Sequence, residues 1–286
     1  MSTILAVDVG NSRAKFGLFE AGSAARPQLL NLSATRLEVP SDIIDSCPAD
    51  AGLADRRHAH RRLADSIRDW LDHADLPQPK HAVVAGSNPP VRDHLLNGWP
   101  FPDLSPRVIG HHRDIPIPVD VDEPEAVGID RLLTAYAARQ LLPDNGPTIV
   151  IDSGTATTVN LTTSDGTFRG GAILPGLRLS AYALHDYTAR LPLIDTDLLS
   201  FGPARVDAPL PGRNTVDAMK SGLFWGQLGA IRELSSRLVQ VAQSQFHDSE
   251  RPLFVLTGGG GRQIVSHLND AIYVDSLALH ALAMLV

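Results

Sequence analysis

The sequence predicts an α/β protein built from two copies of one domain. Three observations carry that expectation. An apolar run ends in an Asp-x-Gly turn followed by a hydroxyl residue; the same pattern recurs near mid-chain; and strands alternate with helical segments in each half. At 286 residues the chain has room for two cores of roughly 140 residues each, and the expected division is 1–144 and 145–286.

Ile4-Leu5-Ala6-Val7 has the continuous apolarity of a strand buried on both faces, and it runs into Asp8-Val9-Gly10-Asn11-Ser12. A second strand, Ala14 to Phe19, follows at once. The copy is Thr148-Ile149-Val150-Ile151, then Asp152-Ser153-Gly154-Thr155-Ala156, then Thr157 to Leu161. Asp8 and Asp152 lie nearly half the chain apart, so the repeat is a duplicated domain and not a solenoid period. Between the copies the sequence predicts a helix near 55–73, a strand His81–Ala85, a loop Gly86–Pro90, a strand Arg107–Ile109 and a helix 130–142. The second half adds a hairpin turned at Asp165-Gly166 and a Gly170–Gly176 run entering a helix to about Leu184. Then come a Pro-rich surface loop, Ala204–Pro211, a helix near 216–241, and a strand Leu253–Leu256 that ends in Thr257-Gly258-Gly259-Gly260-Gly261. A helix 276–284 follows.

Composition narrows the function. Hydrophobic residues make up 43% of the chain and charged residues 20%, which is ordinary for a globular protein. A net charge of -7 and a pI near 5.8 argue against a nucleic-acid footprint. Arg56, Arg57, Arg61 and Arg62 cluster with His58 and His60, but Asp55, Asp65 and Asp69 interrupt them, as on a solvated helix face. The single cysteine, Cys47, can form no internal disulfide. The first twenty residues do not read as a signal peptide, and Leu277–Val286 is too short to span a bilayer, so the expectation is a cytoplasmic protein without a membrane partner.

The chemistry concentrates at the two turns. Each puts a carboxylate at a strand end, a glycine where backbone can approach a ligand closely, and a hydroxyl with free amides just beyond, which is the makeup of an anion-binding nest. The carboxylate can also hold a cation against phosphate. One such turn is usually just a hairpin; two at matching positions point to a phosphate clamp, with Lys15 in reach of the first. The Thr257–Gly261 run lets a flat ring or a phosphate lie on bare backbone, yet has neither the spacing and lysine of a P-loop nor the position of a dinucleotide fingerprint. Gly128-Ile129-Asp130-Arg131 opens a helix, where Asp130 is either a first-turn acid or a functional carboxylate. Asn214-Thr215 caps the helix that carries Ala218, Ser221 and Gly222. His185 and Asp186 have no assigned role.

Five segments together resemble the type III pantothenate kinases, of the actin, hexokinase and Hsp70 ATPase superfamily. They are Asp8–Ser12 with Lys15, Gly128–Arg131, Asp152–Ala156, Gly170-Gly171-Ala172-Ile173-x-Pro175-Gly176-Leu177, and Asn214-Thr215-x-x-Ala218 with Gly222. The resemblance covers almost the whole chain. It implies two actin-like (ribonuclease H-like) domains with the active site in the cleft between them. The activity it implies is phosphorylation of pantothenate by ATP to 4'-phosphopantothenate, the first step of coenzyme A biosynthesis. By the same resemblance Asp130 is the catalytic base, and Gly128, Ile129, Asp130, Arg131 and Thr215 contact pantothenate. Asp8, Val9, Gly10, Asn11, Ser12, Arg13, Ala14, Lys15 and Thr155 contact ATP, which comes with Mg2+, and Asp152 binds a monovalent cation, K+ or NH4+. The family's homodimer is also implied. Two departures stand out: Ser12 replaces a threonine, and Val121 stands where many members carry an aromatic substrate contact before Pro124-x-x-Val127-Gly128. Alternative readings are another small-metabolite kinase of the superfamily and a regulatory homologue without catalysis.

Overall fold

In the computed structural model, residues 2–22, 26–36, 53–142, 146–196 and 208–286 are described. Cys47 and residues 204–207 of the Pro-rich loop lie outside that set, as do the side chains of residues 53–62 with most of the Arg/His cluster. The elements in chain order are β1 (Thr3–Val9), β2 (Arg13–Glu20), β3 (Gln28–Arg36), α1 (Leu53–His73), β4 (His81–Gly86), α2 (Pro89–Asn97), β5 (Arg107–Ile109) and α3 (Ile129–Leu141). They continue with β6 (Thr148–Ser153), β7 (Ala156–Thr162), β8 (Phe168–Pro175), α4 (Leu177–Asp186), α5 (Thr215–Gln245), β9 (Leu253–Thr257), α6 (Gly261–Ile264), β10 (Ala271–Tyr273) and α7 (Leu277–Met284). Among the described residues no helix is long and apolar enough to cross a membrane.

The chain divides into two compact units. The first holds residues up to Pro116, then Glu125–Leu133 and Ala278–Val286; the second holds Ile117–Pro124 and Thr134–Leu277. Each carries one five-stranded sheet, ordered β3-β2-β1-β4-β5 and β10-β9-β6-β7-β8. Within the first sheet β1 pairs antiparallel with β2 and parallel with β4; within the second, β6 pairs antiparallel with β7 and parallel with β9. Strand for strand, β1 to β5 correspond to β6 to β10. The duplication seen in sequence is a duplication of sheets.

The first core follows from period-two alternation along the strands. Leu5, Val7 and Val9 of β1, with Phe16 and Leu18 of β2, meet Leu63, Ile67 and Leu71 of α1, whose four-residue spacing makes one apolar stripe. The Phe16 ring lies 5.0 Å from that of Trp70. On the opposite face Phe19 meets His280 of α7 edge-on at 5.2 Å, and a Cβ on Gly17 would come within 3.4 Å of Leu279. In the second unit Ile149, Ile151, Val159 and Leu161 pack on Phe224, Leu228 and Ile231 of α5. Helix α2 was not expected from Gly86–Pro90. Two prolines occupy its first turn, where their missing N–H groups cost nothing, and the Asn88 side chain accepts from the amide of Val91.

Candidate active site

The first turn forms where β1 hands over to β2. Gly10 donates its amide to the Arg13 carbonyl at 3.0 Å, so Gly10, Asn11 and Ser12 form the loop, and Val9 and Ala14 are buried on either side of it. Asp8 sits directly across the ladder from Lys15. Since Leu5, Val7 and Val9 point at α1, alternation turns Asp8 to the other face, where it is 9% exposed. Behind the turn, β4 presses so close that a Cβ on Gly86 would lie 2.6 Å from the Val9 carbonyl oxygen.

Gly128 to Arg131 belong to the same unit. Ile129 is buried and starts α3, and the half-buried Asp130 stands in the first turn with its Oδ1 accepting from the Arg131 amide at 2.9 Å. A Cβ on Gly128 would meet that oxygen at 2.6 Å, so glycine keeps the approach to the carboxylate open. Burial pushes the Arg131 guanidinium below its ordinary value, against the opposing pull of the Asp130 charge.

The second turn repeats the plan with one residue fewer. Gly154 donates to the Ala156 carbonyl at 3.0 Å, and Asp152 lies across from Thr158 on one side and Thr257 on the other. Thr155 is exposed; its carbonyl accepts from the Gly176 amide at 3.0 Å, and a Cβ on Gly176 would strike the Gly154 oxygen at 2.3 Å. The Gly170–Leu177 motif is therefore seated on the second turn and starts α4 there. So is the glycine run after β9. Gly258 has φ +81, and a Cβ there would lie 2.5 Å from both Asp152 Oδ1 and the Ser153 carbonyl oxygen; the Gly260 amide donates to that carbonyl at 3.0 Å. Arg262, next in sequence, is committed elsewhere, to Asp275 and to the Tyr273 hydroxyl at 3.2 Å.

Behind the second turn runs a buried polar chain that sequence gave no reason to pick out. Gln227 of α5 donates to the Thr157 hydroxyl at 2.7 Å, and Thr157 donates to the Ser153 hydroxyl at 3.4 Å. Gln227 also lines a groove of about 990 Å³ between α4 and α5, together with Pro175, Leu179, Thr215, Gly222 and Gly226. Thr215 is the first residue of α5, set by the Asn214 side chain, which accepts from the Asp217 amide at 2.9 Å. The candidate residues thus divide by unit: Asp8–Lys15 and Gly128–Arg131 in the first, Asp152, Thr155 and Thr215 in the second. Val121 packs beside Gly170, where a Cβ would come within 3.5 Å of it.

Residues 4–237 match the family described as type III pantothenate kinase. The chain belongs to the type III pantothenate kinase family. A type III pantothenate kinase of Caulobacter vibrioides is 37% identical over 59% of this chain and 59% of its own length, so that alignment spans little more than half of the relative. One from Dehalococcoides mccartyi (strain ATCC BAA-2266) is 31% identical over 90% of this chain and 86% of its own. Among solved structures, component A of the (R)-2-hydroxyglutaryl-CoA dehydratase of Acidaminococcus fermentans superposes with a TM-score of 0.50 at 14% identity, covering 99% of this chain and 97% of that one. The two mixed five-stranded sheets of this family member have the actin-like ATPase fold.

Proposed function

We propose that this chain transfers the γ-phosphoryl group of ATP to the primary hydroxyl of pantothenate. Family membership supports the reaction, and one observation supports the choice of site residues: two duplicated strand-turn-strand units each present an aspartate at the same ladder position. Phosphoryl transfer asks a protein for positioning and charge neutralisation more than for covalent help. The amides and hydroxyl of the Gly10–Arg13 turn, with Lys15, bind the phosphates, and Thr155 adds a contact from the second turn. Gly128, Ile129, Arg131 and Thr215 hold pantothenate, and Asp130 accepts the hydroxyl proton. A carboxylate suffices for that role when proton transfer is late.

The second turn fits a monovalent cation, K+ or NH4+. Asp152 has Thr158 and not a lysine across its ladder, and its Oδ1 and the Ser153 carbonyl oxygen both lie 2.5 Å from where a Cβ on Gly258 would stand, a pair of oxygens that suits a hard ion. Asp8, near the phosphates, suits Mg2+ of the nucleotide. These ions supply charge neutralisation along the phosphates.

The α4–α5 groove supports a homodimer. Leu179 and Tyr187 are exposed beside it, and Gly222 and Gly226 have open space where a side chain would project, so two copies can approach backbone to backbone. Sedimentation of the full chain gives twice the 30.7 kDa chain mass if this face is paired.

The deciding assay follows ADP release with ATP, Mg2+ and K+ over a panel of alcohols. Turnover of another alcohol with none of pantothenate overturns the reading and favours the second one, a kinase for a different small metabolite, which Val121 in place of an aromatic contact supports. Asp130→Ala is expected to lower kcat by about 10²–10⁴-fold while ATP still binds. Substantial residual turnover removes Asp130 from the role of base.

A further inference from the structure

His111, His112 and Glu125 have no part in the kinase reaction as proposed. His111 caps the short turn His112–Asp114, just after β5, and Glu125 lies in Pro124–Ala126, just before the Gly128–Arg131 segment; all three residues belong to the first unit. The first turn is held in shape by Asp114, whose Oδ2 accepts from the Gly110 amide at 2.9 Å and the His111 amide at 2.8 Å. This stacks the two imidazoles with centroids 4.3 Å apart. His111 Nε2 is hydrogen-bonded to Glu125 Oε2, and His112 Nδ1 lies 3.8 Å from the same oxygen. One donor atom from each of the three residues falls within 4.8 Å of the other two.

A surface ion pair would account for His111 and Glu125 alone. It does not account for His112, whose Nδ1 is buried and finds no hydrogen-bond partner among the described residues. A buried ring nitrogen without a partner asks for an explanation, and this one is turned toward a carboxylate and a second imidazole. We infer that His111, His112 and Glu125 form a site for one divalent transition cation of the zinc class. Two imidazoles and one carboxylate suit Zn2+ or Co2+, whereas Mg2+ prefers an all-oxygen shell that keeps its waters. Three protein ligands leave the fourth tetrahedral position to water.

Loading carries an identifiable cost. The Nδ1 of His111 now accepts from the Arg113 amide at 3.1 Å, so its proton sits on Nε2. An ion taking the Nε2 lone pair moves that proton to Nδ1 and ends the Arg113 bond, with no net proton release from His111. Arg113, 3.7 Å from the other Glu125 oxygen, competes for the carboxylate as well. The ion ties the β5 turn to the stretch leading into Gly128–Arg131, independently of which substrate that segment binds.

The test is a titration of the full-length, untagged chain with Co2+ alone, read by visible absorption. One equivalent is expected to give the d–d bands of a four- or five-coordinate site, displaced by Zn2+ and not by excess Mg2+. His112→Asn and Glu125→Gln are each expected to weaken binding about 10–100-fold, the scale seen when a metal site loses a supporting group. Unchanged affinity in either variant, or no saturable binding by the parent chain, overturns the site. A readout that needs no variant is histidine-ring nitrogen NMR of the parent chain with and without Zn2+. Two of its 11 histidines should shift, and a shift confined to other histidines refutes the assignment.

Discussion

The two Asp-x-Gly turns share a strand order and a ladder position but not a chemistry. The first is a three-residue loop whose aspartate faces Lys15 across the hairpin; the second is one residue shorter, and its aspartate faces Thr158. The first is braced by a neighbouring strand, with Gly86 against Val9. The second is braced by a glycine loop, by the start of α4 and by the Gln227–Thr157–Ser153 chain. A turn with its own lysine already carries a positive charge for a phosphate. A turn whose aspartate faces a threonine has no such cation across its ladder, and a bound one would supply it. Duplication kept the backbone device and let the charges diverge.

The sharpest way to break this contrast is to remove each aspartate in turn. Asp8→Ala is expected to lower kcat/KM by about 10²–10³-fold, a scale typical of losing one group that neutralises transition-state charge. Asp152→Ala should instead flatten the response of the rate to added K+. Turnover measured across a K+ series checks both, and a normal K+ response in Asp152→Ala would reverse the proposed roles.

A second pair probes the bracing. Gly258→Ala puts a Cβ 2.5 Å from Asp152 Oδ1 at a positive φ, and should cost about 1–3 kcal/mol of stability along with activity. Gly154→Ala meets nothing closer than 3.5 Å, and should leave the urea midpoint almost unchanged. Equal effects would show that the glycine loop does not press on the second turn. Gln227→Leu, which fills the same space without donating to Thr157, is expected to cost about 1–3 kcal/mol, because the buried Thr157 hydroxyl loses its donor and keeps only its own bond to Ser153. The K+ response is the parameter to follow alongside the melt.

The smallest effect concerns Asp165 in the β7–β8 turn. The Thr163 hydroxyl, more than burial opposes it, holds this carboxyl below its ordinary 3.8, with help from the Thr167 amide and Arg169. A depressed folded value means stability that is present above the ordinary value and lost as pH falls through the folded one. Asp165→Asn should therefore lower the urea midpoint slightly at pH 6, with the gap to the parent chain closing below about pH 4. A gap that widens in acid contradicts the assignment.

What the sequence disclosed tracks how locally each feature is encoded. Ile4–Val7 and Thr148–Ile151 are long apolar runs ended by glycine turns, so β1, β6 and both hairpins were legible. Strand β3 was not: Gln28–Arg36 mixes polar and apolar residues, as an edge strand with a wetter face does. Three-residue β10 is equally weak as a pattern and exists by pairing with β9. The glycine run at Thr257–Gly261 was visible, but its contact with Asp152 depends on β9 pairing with β6 far away in sequence. Gln227 is one polar residue in a long helix, and nothing local distinguishes it until Thr157 is brought opposite. The His111–His112–Glu125 cluster is likewise a product of two turns meeting.

The placement of α7 has a consequence for biogenesis. Its residues Ala278–Val286 complete the first unit, covering the face of β2 that carries Gly17 and Phe19, yet they follow the whole second unit in the chain. On the ribosome the second unit emerges entire while that apolar face still waits for its cover. The unit translated first is thus the last able to close, and the nascent chain must shelter a bare strand surface for most of its synthesis.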